Sequence, residues 1–247
     1  MKVKCVAFST QKGGAGKTTL TVLIASYLHY VRGFNVAIVD CDFPQHSISD
    51  MRKRDVEMVL NNGYYKQLAY NQITRTGRKG YLILESKPEN ALEEAQKLEN
   101  EGLDFIFFDL PGTVNSPGVL RTLSMMDYIF SPIAADRVVL ESTLRFVVNI
   151  NENLVTTARS DIKGLFLFWN MVDGREKSEL YKIYEKVIDE LGLTVLKTFI
   201  PDSKRFRREL PTSGKAVFRS TLFPVDRSLL KGSNLKELTD EILKIIG

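Results

Sequence analysis

Short apolar runs alternate with longer stretches of helical spacing along nearly the whole chain. Val3 to Phe8 and Val36 to Asp40 have the apolar, β-branched pattern of buried strands. Tyr81 to Glu85, Phe105 to Leu110, Tyr128 to Ile133, Leu165 to Trp169 and Thr194 to Ile200 read as further strands, and Pro132 is expected to place its strand near a sheet edge or strand terminus. Between the first two strands, Leu20, Leu23, Ile24, Tyr27, Leu28 and Val31 recur at helical spacing up to Gly33. Helical stretches follow from about Ile48 to Asn61, from Pro88 towards Gly102, from Val138 to Thr157 and from Ser178 to Leu191. Asn62-Gly63 reads as a turn, and Tyr64 to Gly80, polar and tyrosine-rich, as a partner-facing stretch or mobile loop. Strands alternating with helices, without internal repeats, predict a doubly wound, mostly parallel α/β sheet with helices on both faces. No linker divides residues 1–247, so one domain is expected.

Composition changes this picture little. A hydrophobic content of 44% and a charged content of 26% are ordinary for a globular chain, and no stretch reaches the roughly 18 apolar residues of a membrane span. Met1-Lys2 leads straight into a strand rather than a signal segment. Cys5 and Cys41 lie in or beside buried strands and read as small core residues, with a disulfide or metal pair as the alternative. A reducing, cytoplasmic setting follows by default. The formal charge of +4 does not identify a nucleic-acid binder, but its distribution says more. Lys197 to Lys231 holds nine basic and three acidic residues, which leaves the remainder slightly acidic. Concentrated positive charge makes a plausible sequence-independent footprint for phosphate backbones, or merely a solvated surface.

The chemistry centres on Gln11-Lys12-Gly13-Gly14-Ala15-Gly16-Lys17-Thr18-Thr19, set between a strand and a helix. Glycines let backbone N–H groups turn inward towards an anion, and a helix N-terminus adds partial positive charge. Lys17 would reach the β/γ-phosphates and the Thr18 hydroxyl would ligate Mg²⁺, as in a P-loop NTPase. Gln11 stands where the usual pattern has its first glycine. A second signal is Phe105 to Leu110 followed by Pro111-Gly112, where Asp109 would hold Mg²⁺ through water. Asp40 and Asp42 sit at a strand's carboxyl end, as ligand-site residues or as caps of the next helix. His46 reads as a solvated loop residue, His29 as part of the first helix's surface, and Arg52 to Arg54 as a solvated face.

The pattern K-G-G-x-G-K-T-T resembles the deviant Walker A motif of the ParA/MinD family of ATPases, and the resemblance extends over nearly the whole chain. It implies ATP and Mg²⁺ held by Gly13, Gly14, Ala15, Gly16, Lys17, Thr18, Thr19 and Asp109, with Lys12 reaching across a dimer to the partner's phosphates. Asp42 becomes the aspartate that positions the attacking water, although Phe43 is a one-residue insertion before the Pro-Gln that follows in many ParA-type members. Pro111-Gly112 stands where Pro-Pro is common, and Gly112, Thr113 and Gly118 would leave that loop able to move. Asn170 would read the adenine edge, unless it only forms a turn, and Pro201-Asp202 would flank the base. Ile200-Pro201…Arg205…Glu209…Pro211…Gly214-Lys215 is similar to a ParA-type stretch, which implies DNA contacts at Arg205 and Arg227 with Arg207 and Arg208 as neighbours.

Within the family, an iron-protein-like electron carrier needs cluster-holding cysteines in a context that Cys5 and Cys41 lack. A MinD-like membrane-cycling ATPase needs a basic amphipathic C-terminal helix. Here Glu237, Asp240 and Glu241 stand among Leu235, Leu238, Ile242, Leu243, Ile245 and Ile246, so that helix is expected to pack on the sheet, with no membrane partner. The resemblance favours a ParA-type partition or mobile-element ATPase: cytoplasmic and nucleoid-associated, dimeric with ATP, on non-specific DNA, with a stimulating partner protein. A nucleotide-gated scaffold of a conjugative element, acting through protein contacts at residues 64–80, is the alternative.

Overall fold

The computed structural model describes residues 2–112, 116–156, 160–175, 178–211 and 216–247. Among them, seven strands form one sheet in which every pairing is parallel: β1 (Lys4–Phe8), β2 (Val36–Asp40), β3 (Leu82–Glu85), β4 (Phe105–Asp109), β5 (Tyr128–Ile133), β6 (Gly164–Trp169) and β7 (Thr194–Val195), ordered β3-β2-β4-β1-β5-β6-β7. A parallel sheet must be covered on both faces, and the strand sequences meet that demand with two different surfaces. Val6, Phe8, Ile38, Phe107, Phe130 and Phe168 point to one side, where the Phe8 ring lies 5.9–6.3 Å from those of Phe107, Phe130 and Phe168. Helices α1 (Lys17–Tyr27), α2 (Ser47–Asn61) and α9 (Leu235–Ile246) contribute to the core on this side. Ala7, Ala37, Val39, Ile106, Phe108 and Leu167 face the other way, under α4 (Ala91–Gln96), α5 (Pro117–Ser124), α6 (Arg137–Ile150) and α7 (Ser178–Glu190).

The C-terminal helix packs as its pattern requires. Leu235, Leu238, Ile242 and Ile246 of α9 are buried in the aromatic-lined core, each contributing roughly 1.5–3 kcal/mol by leaving water. The first helix continues through a π-helical turn (Leu28–Arg32) and stops at Gly33, whose φ of 80° is left-handed. Another π-helical turn, Asn151–Val155, extends α6. Pro132 lies inside the sheet, not on an edge strand: β5 runs between β1 and β6, and Pro132 follows the last β1 pairing at Phe130. There its missing N–H removes no ladder bond to β1. The expected last strand is short, because only Thr194 and Val195 pair before the chain leaves the sheet.

Residues 64–80 depart furthest from expectation. They are chiefly helical: Asn62 separates α2 from α3 (Gly63–Thr76), and its side-chain oxygen accepts the Tyr64 N–H at 3.0 Å, so the residue marked as a turn is an N-cap. The anchor is Tyr65, fully buried against Val217 and Phe223 with its hydroxyl donating to the Pro211 carbonyl at 2.6 Å. One buried residue in a 14-residue helix leaves almost no periodic signal. His29 is also buried rather than on the surface, with its ring nitrogens 3.1 Å and 3.0 Å from the Phe34 and Lys79 carbonyls. The short α8 (Arg227–Leu230) completes the α-helices of the described residues.

Tyr65→Ala is expected to cost about 3–5 kcal/mol, the range for emptying an aromatic core site. Tyr70→Ala, at a 65% exposed position of the same helix, should stay within about 0.5 kcal/mol. Urea unfolding of both variants checks whether α3 is docked through Tyr65.

Candidate functional site

The carboxyl ends of β1, β2 and β4 lie side by side, with Ala7 opposite Phe108 and Asp40 opposite Asp109. A crevice at the carboxyl edge of an open α/β sheet is the usual ligand position. Here it is a cavity of ≈ 580 Å³ whose walls include Gly13, Gly14, Gly16, Lys17, Thr18 and Thr19. The loop after β1 is shaped by Gly14 and Gly16, at φ 77° and 87°, conformations that cost little only for glycine. A Cβ at Gly16 would also stand 2.9 Å from the Asn170 amide nitrogen. No side chain caps α1, so the first-turn N–H groups of the helix remain for an anion.

Lys17 is buried, and its ammonium lies 3.4 Å from the Lys12 carbonyl. Burial lowers its pKa, while the carboxylates of Asp109 and Asp42 act in the opposite direction. The Thr18 hydroxyl donates to Asp109 Oδ2 at 2.7 Å. Asp109 is fully buried, and that burial pushes its pKa up to about 7, opposed by the Thr18 hydrogen bond and reinforced by Asp40 and Asp42. Its Oδ1 has no hydrogen-bond partner among the described residues. A free carboxylate oxygen beside a threonine hydroxyl is a hard-oxygen donor set that fits Mg²⁺. Among the described residues no group of three acidic, His or Cys side chains could hold a metal. The remaining ligands would therefore come from phosphate and water, which suits an ion that keeps much of its hydration.

The two aspartates after β2 separate in role. Asp40 is buried and accepts the Ile48 and Ser49 N–H groups at 3.0 Å, capping the start of α2. Asp42, half-buried, lines the cavity. His46 is not merely solvated: its Nδ1 lies 3.1 Å from the Asp40 carbonyl. Across the cavity, Asn170 donates to the Ala15 carbonyl at 2.8 Å and so braces the glycine loop. Pro201 and Asp202 line the same cavity and are tied to Val172 by a bridge and a 2.9 Å backbone bond. Gly112 also lines it, and a Cβ there would stand 3.2 Å from the Lys17 ammonium. Gly118 lies within α5, where an added Cβ would be 2.9 Å from the Glu89 nitrogen, so close packing rather than loop mobility accounts for it. Thr113, Gly214 and Lys215 lie outside the described residues.

The basic residues divide. Lys12 is exposed on the glycine loop. Arg205 donates to the Leu229 and Lys231 carbonyls at 2.8 and 2.9 Å, fastening its turn to α8, whose Arg227 is exposed. Arg207 and Arg208 are both exposed, and Arg207 also lines the cavity. Arg219, counted in the sequence only for its charge, reaches the cavity and donates to Thr19 at 2.6 Å. A lone arginine 200 residues from the loop carries no local signal that could have marked it.

Residues 6–215 match the CobQ/CobB/MinD/ParA nucleotide binding domain family. The chromosome-partitioning ATPase Soj of Thermus thermophilus is 26% identical to this chain, over 87% of the chain and 88% of that protein. An uncharacterized protein of Borreliella burgdorferi is 27% identical over 94% of this chain and 98% of its own. Among solved structures, a Borrelia burgdorferi plasmid partition protein bound to AMPPNP superposes with a TM-score of 0.61 at 17% identity, covering 100% of this chain and 98% of that one. The MinC:MinD cell division complex of Aquifex aeolicus gives a TM-score of 0.61 at 16% identity, over 99% and 96% of the two chains. The structural likenesses carry the fold.

A buried carboxylate with a raised pKa has a stability cost that grows with pH. Because the folded value of about 7 exceeds the ordinary carboxyl value of 3.8, the native state holds this proton more tightly, and the contribution of Asp109 declines as pH rises through 7. Asp109→Asn should therefore gain stability relative to the parent as pH is raised from 5 to 8 without nucleotide, read by urea unfolding. The same variant should weaken Mg²⁺-dependent ATP binding roughly 10- to 100-fold.

Proposed function

The chain belongs to the CobQ/CobB/MinD/ParA nucleotide binding domain family, and we propose that it is a slow ParA-type ATPase that dimerises on ATP and then binds DNA without sequence preference. It would act in plasmid or chromosome partition or in mobile-element maintenance, with residues 1–247 as one domain, in the cytoplasm at the nucleoid. Its likeness to Soj and to a plasmid partition protein supports that role. The observation that carries the reading is an adjacency: one 3₁₀ turn, Lys204–Arg207, lines the cavity through Arg207 and docks through Arg205 against the helix bearing Arg227. The turn that meets the nucleotide would then also hold the helix whose Arg227 meets DNA. Among the described residues no helix is long and apolar enough to cross a membrane, and α9 has its apolar face in the core.

In this proposal the loop N–H groups and Lys17 hold the phosphates, while Asn170, Pro201 and Asp202 form the wall for the base. Thr18 and Asp109 would hold Mg²⁺, which would supply positive charge to offset that of the phosphates. Asp42 orients the water that attacks the γ-phosphorus, and the ADP oxygen leaves. The exposed Lys12 of each protomer stabilises developing phosphate charge in the partner's site, where preorganised electrostatics supply most of the rate. Closing the dimer sets two basic surfaces on one duplex, so paired phosphate contacts make DNA affinity depend on ATP. Hydrolysis reopens the dimer, and a partner protein would accelerate that step. A protein-binding scaffold is the second reading, favoured by one observation: Leu60, Tyr64, Tyr70 and Ile73 of α2 and α3 expose large apolar surface.

Binding to a random-sequence duplex, measured with ATP, ADP or no nucleotide at two salt concentrations, tests the proposal. Tight, salt-sensitive binding only with ATP is expected, with loss in an Arg208→Ala, Arg227→Ala double variant. No DNA binding in any state, with ATP bound and the protein dimeric, sinks the DNA reading. Lys12→Ala is expected to leave the protein monomeric with ATP by light scattering; parental dimerisation would remove the cross-subunit role.

A further inference from the structure

Arg219 has no part in the mechanism above, yet its side chain is among the most fully committed near the cavity. One terminal nitrogen donates to the Thr19 hydroxyl at 2.6 Å and, at 3.4 Å, to the Phe206 carbonyl. The other donates to Glu209 Oε1 at 2.8 Å, and the second oxygen of Glu209 faces Arg54 of α2 at 3.3 Å. The Arg219 side chain is only 15% exposed, and its Nε is buried without a hydrogen-bond partner among the described residues. The backbone N–H donates to the Arg208 carbonyl at 3.3 Å, so the residue is fixed at both ends. A planar guanidinium with fixed donors holds such an arrangement; a lysine ammonium could not reproduce it.

The bond to Thr19 has a directional consequence. A hydroxyl has one hydrogen and two acceptor positions. Because Arg219 donates into the Thr19 oxygen, the Thr19 hydrogen cannot point back at Arg219 and is free for the cavity. Accepting a charge-assisted bond also polarises that O–H and strengthens what it donates. Thr19 lies one residue further into α1 than Thr18, past the lysine that reaches the β/γ end of a triphosphate. A donor placed there meets the phosphates that ATP and ADP share.

We propose that Arg219, steadied by Glu209, is a positioning residue for nucleotide binding: it fixes the Thr19 hydroxyl as a donor to the phosphates common to nucleoside di- and triphosphates. The inference rests on the reading of this cavity as a nucleotide site. It is tested by titrating ATP and ADP, with Mg²⁺, into the full chain and its variants by calorimetry. Arg219→Ala and Thr19→Val should each weaken both nucleotides alike, by roughly tenfold, as expected for losing a hydrogen bond to a charged group. The double variant should lose no more than either single one, a non-additivity that a general packing defect would not produce. Losses that multiply in the double variant, a loss confined to ATP, or unchanged affinities overturn the role of Arg219. If the parent protein binds neither nucleotide, the site reading itself falls instead. Should Arg219→Ala fail to fold, Glu209→Gln serves: weaker binding of both nucleotides is expected, and parental affinity for both overturns the proposal.

Discussion

The hydrogen bond from Thr18 to Asp109 joins residues 91 positions apart, and the carboxyl edge of the sheet is arranged around it. It forms because β1 and β4 are parallel neighbours whose ends are level, so the loop leaving one strand meets the side chain ending the other. The same closeness takes both Lys17 and Asp109 out of water. Each is disfavoured in its charged form by burial, and each partly relieves the other. The cradle therefore holds an opposed pair of groups with one carboxyl oxygen unpartnered among the described residues.

What could be read in advance follows how local the determinants are. The glycine loop, Lys17, Thr18 and Asp109 are legible because strand, turn and helix signals surround them within a few residues. Asp42 was separable from Asp40 only in three dimensions, since either could cap α2 and it is Asp40 that does so. Helix α3 was missed because its fold-specifying contact, Tyr65 against Val217 and Phe223, lies some 150 residues away in the chain. His29 looked like a surface residue of an amphipathic helix, yet the chain returns at Lys79 to cover it. Arg219 is the extreme case, a single residue whose partners come from α1 and from its own irregular segment.

That irregular segment is held without a strand or long helix. The Asp55 carboxylate accepts from the Ser220 hydroxyl and from the Thr221 N–H and hydroxyl, at 2.7–2.9 Å. Ser26 and Tyr30 of the first helix and its π-helical extension donate to the Ser220 and Thr221 carbonyls, at 2.7 and 2.8 Å. Backbone groups that regular structure would have paired are thus satisfied by side chains from the first helical stretch and from α2, as buried main chain requires. The positions next to Arg219 are pinned as firmly as strand residues, which lets a loop arginine be placed with precision.

The strand order also sets a timetable during synthesis. The phosphate loop is made before β4 and β5, so β1 has no neighbour until β4, and its second flank stays open until β5. Chains are made at roughly 5–20 residues per second, so the nascent loop spends several seconds as an unpaired strand and a bare glycine turn. Helix α9, which shares a core with α1, is made later still. The strand that launches the phosphate loop is thus flanked by segments made well after it, and the loop gains its full support only as they arrive.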